Sequence, residues 1–574
     1  MADLKTNELP VRRGRFSGPD TDSGQAADHP GGLAEFKSDV RRVLAVLRPG
    51  YVWRCHRLFV ILLVLSLIPR ILAALAYRPA LLTADSFLYM QNAVNGKLGY
   101  LRPSGYSFFL AIFHGVPHVL LLVTTLQHLM ELAVAVVVYA LLRYYRLPGW
   151  GAALLTVPIL FDGRVIALES FILSDTLFCL VIVVATALLL TRRTPRMWQC
   201  VAAGLLLAYA ALLRGNGIPL VIVVAVFMIV RRVGWKRFAA ASLVFVIPVL
   251  GYVLAFHGQY GKYNLTTSDG IFLWSRTTSF ANCKIIKPPA NLRPLCPNLE
   301  KSMQRPPTPA WSIDALMNRT MPTDYIWASD VWWRHDAHPG INVYNDKLGE
   351  EFAKRAIEAQ PLSYLRVASR DLVLTFLTTD RPQGGLFMTL PQGSRIKALP
   401  AYYQNDIKAY AGTTSNTRAT KPYIFWLELY QQSVIFPGWA YVAVLITGLV
   451  GLLRNWRRWG GKQLLPWGLA AVSLVSPALL TQTLYRYTIV AIPLAVLAAG
   501  LTWAQFRERR IASATAAAAS GTASPAAPSP ASTASTSTAP GSTAPTSTAP
   551  TSTGPTSTGP TSTGPAETEA ASAE

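Results

Sequence analysis

Charge is scarce in this chain. Asp, Glu, Lys and Arg make up 14% of its 574 residues, and only 30 of these are acids. With 51% hydrophobic residues beside them, that composition excludes an ordinary soluble domain. No Gly-x-x-x-x-Gly-Lys-[Ser/Thr] loop is present, so nothing in the sequence asks for a nucleotide. No internal repeat is visible, which counts against transporters built from paired halves. No cleavable leader is expected, because the first fifty residues are polar and precede any hydrophobic run. The first membrane helix is expected to act as a signal anchor. Cysteine is sparse as well, five in all. Cys55, Cys179 and Cys200 lie in or beside apolar runs, while Cys283 and Cys296 share a polar loop. There a disulfide and a pair of free thiols are both open, and an oxidising compartment would favour the bridge.

What the chain has instead is long apolar runs and arginine. Runs occur at 58–77, 118–142, 149–168, 174–190, 198–213, 217–230, 238–257, 437–453, 464–481 and 488–504. A helix needs roughly 20 apolar residues to cross a bilayer, so the shorter runs are expected to tilt or to be capped by polar turns. The fold class is therefore an all-α polytopic membrane protein of about ten helices, with a large exoplasmic loop subdomain and disordered tails. The net charge of +23 sits in short stretches between runs, which argues for membrane lipids as partners and against nucleic acid. Arg41 to Arg57 precede the first run, and Arg143, Arg192, Arg231, Arg454 and Arg507 open the basic stretches after the even-numbered ones. That asymmetry places both termini in the cytoplasm. It also makes 198–230 a hairpin around Arg214, and 365–377 an interfacial amphipathic helix rather than an extra span.

Five regions follow. Residues 1–50 are a largely disordered cytoplasmic tail, and 51–257 a transmembrane module carrying the first exoplasmic loop. Residues 258–435 are an exoplasmic cap, with an amphipathic helix at 347–360 and mostly irregular structure elsewhere. Its aromatics, among them Trp311, Trp327, Trp332, Trp333, Tyr402 and Tyr403, suit an ordered cap resting on the membrane. Residues 436–505 are the C-terminal helices. Residues 506–574 are a disordered tail rich in Ala, Ser, Thr and Pro.

Ionisable groups at a membrane helix end are functional candidates by default. By this topology Asp85, then Asp162, Arg164, Glu169 and Asp175, then Arg214, then Arg486 between Tyr485 and Tyr487 all fall on one membrane face. Each has a plainer alternative. Asp85 suits a helix cap, Glu169 and Asp175 suit solvated loops, and Arg486 suits a lipid headgroup. Arg70 beside Pro69 suits an acid or a lipid phosphate. Gln127, His128 and Glu131 suit an internal hydrogen-bonded network.

Arg70, Asp85, Tyr89 and the Arg-Pro-x-Gly-Tyr step at 102–106 together resemble the start of the GT-C glycosyltransferases. The closest groups are the protein O-mannosyltransferase-like and aminoarabinose-transferase-like enzymes that use polyprenyl-phosphate sugars. "ILSDTLF" at 172–178 is similar to that family's Ser-Glu-x-Leu-Phe stretch, and "LYRYTIVAIPL" at 484–494 to its last-helix signature. The resemblance implies a polyprenyl-phosphate-linked sugar donor at the cell membrane and an exoplasmic glycan, lipid or protein acceptor of the cell envelope. It implies Asp85 as general base, helped by Glu169 or Asp175, with transfer by inversion. Arg486 would stabilise the leaving phosphate with Arg214 and Arg102 in reserve, Tyr89 and Tyr487 would line the pocket, and Arg70 would hold an acid or a phosphate. Ser86 stands where relatives carry a second acid, and Asp175 where Glu is commoner. A divalent cation, Mg or Mn, is thus left with one carboxylate in each place. A lipid-linked sugar flippase, or a scaffold with no need of Asp85, are the alternatives from other classes.

Overall fold

The computed structural model describes residues 49–297, 322–327, 331–335, 338–377, 401–413, 417–458, 460–482 and 485–521. The expected tails 1–48 and 522–574, with Trp311, lie outside these residues. The coordinates divide into Met1–Ser513 and Ala514–Glu574, and of the second unit only the helical residues to Gly521 are described.

Helix dominates because runs of Leu, Val and Ala satisfy their backbone groups internally wherever water is absent. Among the described residues, five helices are long and apolar enough to cross a bilayer: His56–Ala76, Val119–Tyr144, Trp235–Tyr260, Gly461–Leu480 and Arg486–Ala516. Tyr423–Ser433 and Gly438–Arg454 form a further pair bent by 51°. Three shorter apolar helices are Asp175–Leu190, Met197–Leu213 and Gly217–Val230. The protein is thus a multi-pass membrane protein, and these helices account for nine of the ten expected runs. Trp235–Tyr260 packs one side on Met197–Leu213 and leaves Leu243, Ile247, Leu250 and Leu254 exposed on its other side, as a lipid-facing surface would be.

The tenth run is a correction. Residues 149–168 form Gly149–Leu155, Val157–Phe161 and Gly163–Glu169 in place of one span. The Thr156 hydroxyl turns back to the Ala153 carbonyl (2.7 Å), Pro158 lacks an N–H, and Asp162 caps the third piece through Arg164 N–H. The expected hairpin at 198–230 is present. Gly217 closes it, since a Cβ there would lie 2.6 Å from the Ala210 carbonyl oxygen.

The cap is more helical than its sequence suggested. Val343–Ala359 and Pro361–Leu377 fall where helices were expected at 347–360 and 365–377, while Asp269–Thr277, Ala401–Ala411 and Tyr423–Ser433 stand where irregular structure was expected. Asp269–Thr277 packs on Val343–Ala359 around a small core of its own, including Ile271, Trp274, Leu292, Leu295, Trp333 and Phe352. A buried Arg276–Asp371 ion pair holds the cap to Pro361–Leu377. Cys283 and Cys296 are bridged, which settles the two open alternatives. Replacing both with Ser is expected to cost about 3 kcal/mol by loop-closure entropy. Thermal unfolding in detergent, with and without reductant, checks this: reductant should shift only the wild type.

The last helix also departs from expectation. It continues to Gly521 rather than giving way to a disordered tail at 506, because 504–519 is rich in Ala and Arg, strong helix formers. From Arg486 to Arg507 it rises about 31 Å at ~1.5 Å per residue, close to the hydrocarbon thickness of a bilayer. One charged end therefore belongs to each membrane surface.

Candidate functional site

Thr83 starts the helix Ala84–Asn95. The Ser86 hydroxyl accepts the Thr83 N–H (2.9 Å) and donates to the Ile172 carbonyl (2.9 Å). Capping therefore falls to Thr83 and Ser86, which overturns the alternative of Asp85 as the cap. Asp85, in the first turn, is left to face the arginines. Its Oδ1 accepts from Arg102 Nε (3.0 Å) and its Oδ2 from Arg486 Nη2 (3.2 Å), a residue 401 positions away.

Arg486 also lies 3.8 Å from Asp175 Oδ1, through Nε. The same oxygen accepts from Arg214 Nη1. Asp175 Oδ2 is buried and has no hydrogen-bond partner among the described residues. The Tyr487 ring sits beneath both guanidinium groups, 5.0 Å from Arg214 and 5.4 Å from Arg486. One turn along from Asp85, the Tyr89 hydroxyl is 3.3 Å from Ser174 Oγ. Asp85, Tyr89, Arg102, Asp175, Arg214, Arg486 and Tyr487 thus form one cluster, drawn from the first loop, the starts of two apolar helices and the hairpin.

The Arg-Pro-x-Gly-Tyr step is the joint of this cluster. Arg102 pairs with Asp85 and lies 4.9 Å over Phe272 of the cap. Ser104 receives the Gly99 N–H (2.7 Å) and touches Tyr252. At Gly105 a Cβ would fall 2.6 Å from the Leu212 carbonyl, so only glycine lets the loop seat against the turn that carries Arg214. The Tyr106 hydroxyl donates to Gln127 Oε1 (2.6 Å).

Glu169 and Arg70 do not join Asp85. Arg70 grips both Glu169 oxygens, at 2.9 and 2.7 Å, and donates to the carbonyls of Ser66 and Leu160. His128 Nδ1 reaches Glu169 Oε2 at 2.5 Å, and Gln127 donates to the carbonyls of Glu169 and Phe171. Glu169, expected with Asp175 as one of two candidate helpers of Asp85, is instead engaged at both oxygens in a second, buried network. That network anchors 169–174, whose Ile172 N–H and Ser170 carbonyl bond Leu81, and so fixes where Asp175 begins its helix. Asp162 and Arg164 pair with each other and tie to the Phe436 backbone, outside both networks. Glu169→Gln would strand a buried guanidinium and is expected to destabilise the protein by about 3–5 kcal/mol. Thermal unfolding in detergent reads this, and an unchanged midpoint would contradict the structural assignment.

Ser174 and Phe178 were marked only as members of the 172–178 stretch, and Phe178 lies 5.9 Å from the Arg214 guanidinium. Phe272 carried no mark in the sequence and is brought to Arg102 from 170 residues away by the cap.

Burial would push the Asp85 carboxyl up, but Arg102 and Arg486 outweigh it and hold it well below the usual carboxylate range. Arg102 is shifted up by Asp85 against the effect of its own burial, and burial with the Asp85 charge raises Tyr89. Because its folded value is lowered, the pair's contribution to stability is complete above the ordinary carboxylate value of 3.8 and is lost only as pH falls through the lower one. Among the described residues no three of His, Cys, Asp and Glu converge. The donor set does not fit Mg or Mn, since both carboxylates of the cluster are already held by guanidinium groups where a hard cation wants several free oxygens.

No protein-family model matches the chain, and no curated protein matches it. Among solved structures, the protein O-mannosyltransferase complex of S. cerevisiae bound to its sugar donor matches 42% of this chain at 14% identity and TM-score 0.30. The match spans 38% of that chain's length. ArnT from Cupriavidus metallidurans matches in its apo state and bound to undecaprenyl phosphate, over 78% of this chain and 76% and 77% of theirs. Those identities are 14% and 13%, with a TM-score of 0.29 for each. A likeness at this level transfers neither residue roles nor substrates.

Proposed function

We propose that this protein transfers a sugar from a polyprenyl-phosphate donor to an acceptor hydroxyl on the exoplasmic face, as a glycosyltransferase. One observation carries this: two carboxylates and three arginines meet in a buried cluster at the end of the apolar helices, with one carboxylate oxygen, Asp175 Oδ2, left open. Such a cluster offers a proton acceptor beside groups that bind a phosphate, and both are needed when a phosphate leaves as a hydroxyl attacks.

In the resting protein Asp85 is a weak base because two guanidinium groups share its charge. The donor phosphate competes for Arg486 as a planar fork and loosens that hold. Asp85 then takes the proton of the acceptor hydroxyl while the oxygen attacks the anomeric carbon from the face opposite the phosphate. The C–O bond to polyprenyl phosphate breaks, the phosphate keeps the electron pair, and configuration inverts. Arg486, with Arg214 and Arg102 nearby, stabilises the charge that grows on the leaving phosphate. Asp175 positions Arg214 and offers its open oxygen to the acceptor. Tyr487 holds both guanidinium planes.

The test is purified protein in nanodiscs with a panel of synthetic polyprenyl-phosphate sugars, following donor loss and product by mass spectrometry. Turnover dependent on Asp85 supports transfer. Lipid movement in liposomes with no turnover across the panel would assign a flippase. Mass analysis of envelope polymers after deletion would name the sugar and the acceptor.

A further inference from the structure

The other end of the bundle holds a second constellation that the transfer reaction does not use. A cavity of about 750 Å³ opens between Arg454, Arg507, Arg509, Arg510, Trp503 and Phe506. Arg454 ends one helix, and the rest lie between positions 503 and 510 of the last helix. The Arg454 guanidinium lies 5.2 Å over the Phe506 ring. Trp503 packs edge-on against Trp150 (5.2 Å) and closes the wall towards the span. Next in sequence to the lining residues Arg454 and Phe506, Asn455 and Gln505 hydrogen-bond each other and Gln463, and Arg507 Nη1 donates to the Arg146 carbonyl (3.0 Å). Among the described residues none of the four arginines is paired with a carboxylate, and no acid lines the cavity. Glu508 is the nearest acid in sequence, on the exposed turn between Arg507 and Arg509.

Four guanidinium groups without a counter-charge, at the rim of a rigid pocket with aromatic walls, ask for more than one anion. Arginine meets phosphate as a bidentate fork, so two pairs suit two phosphates. The Trp503 and Phe506 rings offer apolar surface where glycerol and the first methylenes of acyl chains would lie. Arg507 stands about 31 Å along the helix from Arg486, at the opposite membrane surface. By the basic clustering that surface faces the cytoplasm, where anionic lipid is concentrated and its negative surface potential repels soluble phosphate. We infer that this cavity is a headgroup site for an anionic phospholipid carrying two phosphates, independent of the transfer site.

The experiment uses the full chain, delipidated in neutral detergent and titrated with diphosphatidylglycerol, with phosphatidylglycerol and with inorganic pyrophosphate, read by thermal shift and native mass spectrometry. The two-phosphate lipid is expected to bind at least about tenfold more tightly than the one-phosphate lipid. Pyrophosphate should fail to displace it at comparable concentration. The combined variant Arg509→Gln, Arg510→Gln, whose side chains are exposed, should lose about tenfold and the preference with it, at an unchanged lipid-free melting temperature. Equal affinity for the two lipids, displacement by pyrophosphate at lipid-like concentration, or full binding by the variant would each overturn the site. If the variant does not purify intact, the lipid preference of the wild type alone decides.

Discussion

Asp85→Asn is expected to lower transfer by about 10²- to 10⁴-fold, the range that a positioned general base supplies. Asparagine keeps the volume of the side chain and an oxygen for Arg102 or Arg486, so the cluster should stay assembled. What it loses is the ability to accept the proton. The measurement is single-turnover transfer with donor saturating, so that any change in donor binding is separated from chemistry. Asp175→Asn is the necessary companion. Asp175 is the acid with an oxygen to spare, whereas both Asp85 oxygens are engaged. If Asp175→Asn removes turnover and Asp85→Asn retains most of it, the base is Asp175, and Asp85 serves to hold the two arginines apart.

Arg486→Lys is the second large effect, a loss of about 10²- to 10³-fold, comparable with removing one preorganised donor from a developing anion. Lysine keeps the charge but not the planar fork that spans Asp85 on one side and Asp175 on the other. If Arg486 acts on the leaving phosphate, the loss falls on the chemical step, and donors with better leaving groups should narrow the gap between variant and wild type. A variant whose defect is the same for every leaving group, and lies wholly in donor KM, would show that Arg486 only binds.

Much of this was legible in the chain. The apolar runs set the helices, and the even spacing of basic stretches set which ends belong together: Arg146, Lys462 and Arg507 do meet, through the Arg507 bond to the Arg146 carbonyl and the Lys462 ammonium 4.5 Å from Tyr145. Arg214 was legible as a hairpin turn because Gly215 and Gly217 follow it. The break of 149–168 was harder to see, since Thr156 and Asp162 act through local side-chain bonds that hydropathy does not register. The separation of Glu169 from Asp175 was invisible, because six residues of sequence say nothing about which carboxylate an arginine from the first span will take.

By itself, the sequence determined that this chain lies in membranes, where most of its apolar helices run, and that its acids and arginines gather near helix ends, because burial of apolar surface and the cost of charge in lipid act on local composition. Only the tertiary structure decided which charges pair. Arg70 spends itself on Glu169, while Arg486 bridges Asp85 and Asp175, since ion pairing depends on distances of a few ångströms that helix packing alone fixes.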